Sequence, residues 1–582
     1  MKLSIQNRIN HIIGRITPVL GIFAFLSLFI KYGFHLSDVW LSYLLILDEI
    51  IAAFFVLSLL LKFIISDAKW LYVKQSPFEF GLLLLFIISI VFEEIISIDE
   101  PYILIRRDTT QNIIKLYFVI IQVYIIFNGI IALAKIRNKW LFYSLNPARI
   151  LIVSYVFIIV AGMFMLKLPK ATYEGINWID AFFTSTSAVC ITGLSTVNIQ
   201  QIYTFEGQVV IMLLIQLGGL GIITLTSFIA LIVHQGFRLR DQIVVQEILD
   251  NENLSSLASI LKAIVSITFI SELIGAIGLY FAWGNLGLPE PERIFNAVFH
   301  AISAYCNAGF STFTNGFETA GYHFTTMSHI TIMLLIVFGG LGFYTYSDIF
   351  RIGQIKIFRK KGLTLQSKVI LVGTLILILF GAGMIWITEH GQWKDLPVGE
   401  QVLHSFFLSV TARTAGFSIV SIGELAIPTL MMVILLMYIG GAPNSTSGGI
   451  KVTTVMALLA ALVAFVRGKT RVEIGWNTLS MRIVRRAFIV FMVSIFLIFI
   501  VLFVLSWTED QAFIDLLFEI ISAFGTVGLS RGITPDLTIT GKLLIATVMF
   551  AGRIGLFSFA IAMSELKDDT GYTFPETYLM VG

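Results

Sequence analysis

The chain has 582 residues, 57% of them hydrophobic and only 13% charged, with a net charge of +3 and a mean hydropathy of +0.90. No water-soluble domain buries that much apolar surface, so composition excludes a soluble protein, leaves nucleic acid out as a partner and points to an integral membrane protein. Two cysteines, Cys190 and Cys306, are too few for a disulfide framework or a zinc site.

The N-terminus, MKLSIQNRINHIIGRITP, carries Lys2 and Arg8 before Arg15 and has no small-residue cleavage site, which predicts a retained first helix. Apolar segments over 15–32, 41–63, 79–97 and 114–134 each approach the ~20 residues that a membrane span needs, so four transmembrane helices are expected within an accessory unit, residues 1–140. This unit holds Asp48, Glu49, Glu93 and Glu94, with Arg106, Arg107 and Lys115 ahead of its fourth segment. A voltage sensor needs arginines at every third position of a helix. Only one adjacent pair is present, so these charges read as packing or partner docking.

Beyond residue 145 the chain repeats itself. The windows FFTSTSAVCITGLS, VFHAISAYCNAGFS, SFFLSVTARTAGFS and LFEIISAFGTVGLS line up without a gap on Gly193, Gly309, Gly416 and Gly528, about 110 residues apart. Ten residues before each glycine stands a phenylalanine (Phe183, Phe299, Phe406, Phe518), and two after it a serine (Ser195, Ser311, Ser418, Ser530). Each unit reads as a long apolar helix, a short half-apolar helix ending at the glycine, a polar stretch and a second long helix. The long helices are expected at 149–167 and 207–234, 260–283 and 328–350, 367–387 and 428–464, and 485–507 and 541–563, with the first short helix at 178–190. The repeats are bounded at 145–240, 255–352, 365–468 and 482–565, and 566–582 form a short tail. A segment of some 12 residues cannot cross a bilayer, so each short helix must enter and return on one side. The fold class is therefore an all-α polytopic membrane protein, with four helix, re-entrant loop, helix repeats that could surround one axis, after the four N-terminal transmembrane helices.

Basic residues set the orientation. Arg351, Lys356, Arg359, Lys360, Lys361 and Lys368 lie between repeats two and three, and Arg467, Lys469, Arg471, Arg482, Arg485 and Arg486 between three and four. Those loops are expected in the cytoplasm, the loops near the glycines at the outer face and the N-terminus inside, in a cytoplasmic membrane.

Backbone groups in a bilayer stay unpaired only where protein buries them or a water-filled path receives them. Glycine at the turn permits unusual φ and close approach of main chains. Carbonyls of Cys190, Ile191, Thr192 and Gly193, of Cys306, Asn307, Ala308 and Gly309, of Arg413, Thr414, Ala415 and Gly416, and of Gly525, Thr526, Val527 and Gly528 could then replace the hydration shell of a cation. The negative end of each short helix would favour a cation over an anion. Cys190 and Cys306 read as packing at a helix end, and His300 and His404 as satisfied core residues.

These segments resemble the filters of the Trk/Ktr/HKT superfamily of potassium transporters, in its bacterial membrane subunits of the TrkH and KtrB kind. SAVCITGLS, CNAGFS, SVTARTAGFS and SAFGTVGLS match the four filters, and QLGGLG and FGGLGF the inner-helix motifs after filters one and two. The resemblance covers about residues 145–565. It implies one pore per subunit, a homodimer in membrane lipid, a cytosolic nucleotide-binding regulatory subunit (TrkA/KtrA-like), no cofactor in this chain, and K+ held at filter carbonyls only. A serine at the first filter glycine accompanies sodium permeation in that family; glycine in all four places implies potassium, with Asn307 or Thr192 as tuning positions.

Repeat three departs from the others in GGAPNSTSGGIKVTT, Gly440 to Thr454, which should break its inner helix. A loop over 440–451, with Gly440, Gly441, Asn444, Ser445, Thr446, Ser447, Gly448, Gly449 and Lys451, would obstruct the pore as a gate. Arg553, in FAGRIGLF at about the register of Leu220 and Leu341, is costly in a membrane unless paired. Its guanidinium is expected to donate to loop carbonyls or a carboxylate and hold the gate shut. Glu272, in SELIGAIG, reads as a structural ion pair or helix cap. No phosphate-cradling glycine motif with Lys and Ser/Thr occurs, and no histidine or lysine has the spacing of a hydrolase. The expected function is potassium uptake by gated, largely passive permeation; a sodium- or proton-coupled secondary transporter, or a sodium-permeable member of the same family, is the alternative.

Overall fold

The computed structural model describes residues 2–65, 69–70, 80, 147–221, 257–314, 316–318, 325–354 and 362–555. The expected segments at 79–97 and 114–134, Glu93, Glu94, Arg106, Arg107, Lys115, the basic residues 356–361 and the tail 566–582 lie outside the described residues, apart from residue 80. Two compact units emerge, one of 1–143 with 168–172 and one of 144–167 with 173–582.

In the first unit, α1 (Lys2–Gly33) and α2 (Asp38–Ile65) form an antiparallel pair. Asp48 is buried where α2 meets α1, accepting from Ser27 Oγ at 2.5 Å and from Lys31 Nζ at 3.0 Å. A carboxylate is tolerated there because both partners are aimed at it. The packing role expected for Asp48 is thus met by a hydroxyl and an ammonium.

The second unit repeats one order of elements four times. First come α3 (Pro147–Leu166), α4 (Trp178–Val189), the single turn α5 (Ile199–Ile202) and α6 (Phe205–Leu220). Next are α7 (Leu257–Ala282), α8 (Glu290–Tyr305), α9 (Thr326–Gly340) and α10 (Phe343–Gln354). The third set is α11 (Leu365–Glu389), α12 (Val398–Thr411), α13 (Ile427–Tyr438) and α14 (Val452–Val466), and the fourth α15 (Met481–Thr508), α16 (Phe513–Gly525) and α17 (Ile539–Ile554). Local chemistry starts these helices where they start. Thr204, Thr325 and Thr538 cap α6, α9 and α17 by accepting the backbone N–H three residues on, at 3.2–3.3 Å, whereas α13 opens on a proline in its first turn. A single hairpin, β1 (Glu473–Ile474) with β2 (Asn477–Thr478), interrupts the otherwise helical described chain and turns on Gly475, φ 59°.

Among the described helices, four are long and apolar enough to span a bilayer, or five if the bent pair α9 and α10 is one span. Two expectations are corrected. The inner helices are not continuous: the segment expected at 328–350 is broken at Leu341–Gly342 with a 93° bend, and α6 and α17 stop at Leu220 and Ile554, each followed by a glycine of positive φ. Gly221, Gly342 and Gly555 have φ of 74°, 80° and 85°, which no β-carbon residue adopts without strain. In repeat three, α13 ends at Tyr438 and α14 begins at Val452, so the break expected there is present.

The other correction concerns register. Phe183, Phe299 and Phe518 are fully buried, but in repeat three Phe407 is the buried ring and Phe406 is half exposed. Counting from the helix hydroxyls agrees, since Ser303 Oγ donates to Phe310 O at 2.8 Å and Thr411 Oγ1 to Phe417 O at 2.7 Å. Thr411 stands one residue nearer its glycine than Ser303 does. The third window therefore aligns with a one-residue gap between its helix and its glycine. The repeated serines have one job: Oγ of Ser195, Ser311, Ser418 and Ser530 each accepts the backbone N–H two residues on, at 3.0–3.4 Å.

Glycines in the inner helices admit the ends of the short ones. A Cβ on Gly218, Gly339 or Gly552 would fall on the carbonyl of Val189, Tyr305 or Phe524. Gly339→Ala is expected to destabilise the protein by about 1–3 kcal/mol through overpacking, read as a lower melting temperature in detergent. Gly383→Ala, where a Cβ meets nothing within 4 Å, is expected to leave that temperature unchanged or raise it.

Candidate functional site

Three of the short helices end in the same way. The residue after the C-cap is left-handed, Ile191 at φ 57° and Asn307 at φ 58°, and in repeat four Thr526 at φ 49° directly follows the helix. Its N–H returns to the carbonyl three residues back, and the next N–H to the one five back: Thr192 to Ser187 at 2.8 Å, Ala308 to Ser303 at 2.7 Å and Val527 to Ser522 at 2.8 Å. That is the Schellman arrangement, built here without glycine at its left-handed position. Repeat three, one residue shorter, instead sends Ala415 N–H to Thr411 O at 2.9 Å, with Thr414 at φ 79°.

Two residues later each chain turns left-handed again, at Gly193, Gly309, Gly416 and Gly528, with φ of 87°, 71°, 78° and 95°. Because the turn's N–H groups are spent on the helix end, its carbonyls have no local donor. Among the described residues no hydrogen bond reaches the carbonyls of Thr192, Ala308, Ala415 or Val527. These oxygens stand in a closed ring. A Cβ on Gly193 would strike Ala308 O and lie 3.1 Å from the Cα of Gly309; one on Gly309 would meet Ala415 O and lie 3.0 Å from Gly416 Cα. From Gly416 the neighbours are Val527 O and Gly528 Cα at 3.1 Å, and from Gly528 they are Thr192 O and Gly193 Cα at 3.1 Å, closing the circuit.

Of the sixteen residues singled out around the four glycines, the pairs Thr192–Gly193, Ala308–Gly309, Ala415–Gly416 and Val527–Gly528 meet in this ring, and the two residues before each pair lead into it from the helix end. The left-handed residues Ile191, Thr414 and Thr526 are what glycine counting missed, because β-branched residues are poor candidates for positive φ. Backbone strain of this kind, of order 1–3 kcal/mol per residue, collects at functional sites. Cys190 and Cys306 are buried caps of α4 and α8, as expected of packing residues.

Residues 440–451 form a loop of repeat three that packs against repeats two and four. It is tied off by Gly440 N–H to Ile450 O at 2.8 Å and rests on repeat two through Ala442 N–H to Gly340 O at 3.0 Å and Thr446 Oγ1 to Tyr305 O at 3.3 Å. Asn444 is left-handed, φ 55°, and its carbonyl accepts Phe343 N–H at 3.1 Å across the bend of α9 and α10. Gly448 and Gly449 lie against Thr526 and Gly525, so close that a Cβ on Gly449 would sit 3.2 Å from the Cα of Gly525. Asn307 joins ring and loop: in the orientation that satisfies its amide, it accepts from Thr414 Oγ1 at 3.1 Å and Ser447 Oγ at 3.2 Å and donates to Ala304 O and Ile336 O. Ser445 Oγ donates to Ala442 O at 2.6 Å and Lys451 Nζ to Ser447 O at 2.5 Å.

Arg553 donates through its two terminal nitrogens to Thr446 O in the loop and Gly218 O at the end of α6. Its register is corrected by one residue. With Gly218, Gly339 and Gly552 equivalent in packing and Gly221, Gly342 and Gly555 equivalent in φ, Arg553 stands where the first two repeats have Gly219 and Gly340, not leucine. Glu272 is neither ion-paired nor a helix cap among the described residues. It is buried within α7, where Gln216 Nε2 donates to it at 3.3 Å and Cys306 Sγ at 3.8 Å. His300 is satisfied, with its ring nitrogens at 2.8 Å from Asn296 O and 2.9 Å from Ser311 Oγ. His404 departs from expectation, because its buried Nδ1 has no partner among the described residues.

Residues 116–571 match the TrkH family, described as a cation transport protein. The chain is 34% identical to Ktr system potassium uptake protein B of Bacillus subtilis over 453 residues, covering 76% of this chain and 98% of the relative. It is 35% identical to the potassium/sodium uptake protein NtpJ of Enterococcus hirae over 461 residues, 77% of this chain and all of the relative. The crystal structure of the potassium transporter TrkH from Vibrio parahaemolyticus superposes with a TM-score of 0.61 at 18% identity, over 83% of this chain and 97% of that one. An all-helical polytopic membrane protein with this family match is a transporter rather than an enzyme, and the chain belongs to the TrkH family of cation transport proteins.

Proposed function

We propose that the ring of carbonyls is the selectivity filter of a single pore formed by the four repeats, and that the chain takes up potassium by gated, largely passive permeation. The observation that carries this reading is the closed circuit from Gly193 through Gly309 and Gly416 to Gly528, with an undonated main-chain oxygen before each glycine. Oxygens so placed can replace the water of a cation as it enters. Each short helix also directs the negative end of its dipole toward the ring. Inward movement would be driven by the membrane potential at about 2.3 kcal/mol per charge per 100 mV.

The loop 440–451 is the gate in this reading. It packs against ring residues Asn307, Gly525 and Thr526, and Arg553 holds it by the Thr446 carbonyl. The glycines Gly440, Gly441, Gly448 and Gly449 let it lie against neighbouring backbone and side chains where a Cβ would collide. Cytoplasmic basic loops, an inward N-terminus, a homodimeric assembly and control by a cytosolic nucleotide-binding subunit complete the proposal; the name of the Bacillus subtilis relative, a component of a Ktr system, supports a partner of that kind. The repeat boundaries are those read from the sequence. A second reading, permeation of sodium as well as potassium, is favoured by the potassium/sodium name of the Enterococcus hirae relative.

Growth of an uptake-deficient cell at limiting potassium tests the reading. The chain is expected to restore growth and Gly416→Ser to abolish it at unchanged expression, since a side chain at φ 78° would strike Val527 O. Restored growth with Gly416→Ser and no preference for potassium over sodium in purified protein would sink the filter. For the gate, Arg553→Gln in proteoliposomes without a partner subunit is expected to raise potassium flux at least severalfold; unchanged flux would show that the loop does not limit permeation.

A further inference from the structure

Arg413 is a cation in a place where the other repeats need none. Counted from the equivalent helix residues Ser187, Ser303, Thr411 and Ser522, it occupies the position of Val189, Tyr305 and Phe524. These three neutral residues close their helices against inner-helix glycines, so the local fold forms without a charge there. Arg413 is buried, and its hydrogen bonds are long: Nη1 to Thr374 O and Nη2 to Thr374 Oγ1, both at 3.4 Å. Its buried Nε has no acceptor, and no carboxylate lies within ion-pair distance among the described residues.

A guanidinium cannot shed its proton in a protein. Burying one unpaired costs several kcal/mol, and exchanging it for a well-packed neutral side chain commonly costs nothing. Stability therefore does not account for this residue. Along the chain Arg413 begins the third segment of the ring, three residues before Gly416 and next to left-handed Thr414, with its guanidinium lodged against Thr374 of α11. A fixed positive charge carried on a ring segment acts on the undonated carbonyls through space. The same field acts in reverse on any cation held between them.

Resting on the filter reading, we infer that the Arg413 side chain is a fixed positive charge beside the inner end of the ring that weakens cation binding there and speeds release toward the gate. It is a positioning charge for permeation and does not touch the ion. Other buried groups that the mechanism leaves unused carry less: Glu272 has donors on both oxygens, and the groove bounded by Met431, Tyr438, Ile495 and Phe499 has nothing to show what fills it.

The test is potassium uptake into proteoliposomes as a function of potassium concentration. Arg413→Tyr, which copies repeat two, is expected to lower the half-saturating concentration by about tenfold, the value for one charge roughly 12 Å away at an effective permittivity of ~20, and to lower the maximal rate. Arg413→Lys keeps the charge and is expected to stay within about twofold of the parent in both. Thr374→Val removes a hydrogen bond without altering charge and is expected to leave half-saturation unchanged. Equal shifts for Tyr and Lys, or none for Tyr, would overturn the inference. Should the Tyr variant not fold, Arg413→Gln serves with the same criteria. A parent protein that passes no potassium defeats the filter reading instead, so the two failures are distinguishable.

Discussion

The structure depends on where the backbone hydrogen bonds go at the ends of four short helices. In a bilayer every N–H and C=O must find a partner within the protein or face water. By returning the N–H groups of the turn to Ser187, Ser303, Thr411 and Ser522, the helix ends are satisfied and the oxygens of the turn are left over. A leftover oxygen is a defect in isolation. Four of them gathered in one ring concentrate partial negative charge there, and the left-handed residues are what bring them together.

The second constraint is how near main chains come. Gly218, Gly339 and Gly552 let the inner helices touch the carbonyls that close the short helices, and the positive-φ glycines three residues later end each inner helix soon afterwards. Helices that stop beside the ring leave room for a loop, and repeat three supplies it. The loop is stabilised mostly by its own and its neighbours' backbone groups, with hydroxyls of Ser445, Thr446 and Ser447 at its turns. Two cations, Arg553 and Lys451, donate to successive carbonyls of that loop, Thr446 and Ser447. Neither has a carboxylate partner among the described residues, so both are held by backbone dipoles alone.

Departures from fourfold likeness are concentrated in repeat three. Its window is one residue short, its short helix ends in a different turn, its ring segment begins at a buried arginine, and its inner helix opens into the loop. In the filter reading proposed above, four non-identical segments need not contribute equally to cation binding.

Much of this was legible in the amino-acid order. Apolar runs of span length, four glycines in register, serines two residues beyond them and the glycine-rich interruption at 440–451 are local patterns, because length, φ preference and helix breaking are properties of short stretches. What could not be read was the left-handed turn at Ile191 and Thr526, the one-residue gap that makes Phe407 rather than Phe406 the buried ring, the stop of α9 at Gly340 and the partners of Arg553 and Glu272. The partners of Arg553 lie more than a hundred residues away and those of Glu272 on other helices, and neighbouring helices pin the turns in their unfavourable conformation. Sequence alone determined that the chain lies in a membrane and repeats four times; only tertiary packing decided that the four turns close on one another, because main-chain oxygens carry no residue identity and their convergence is a matter of distance.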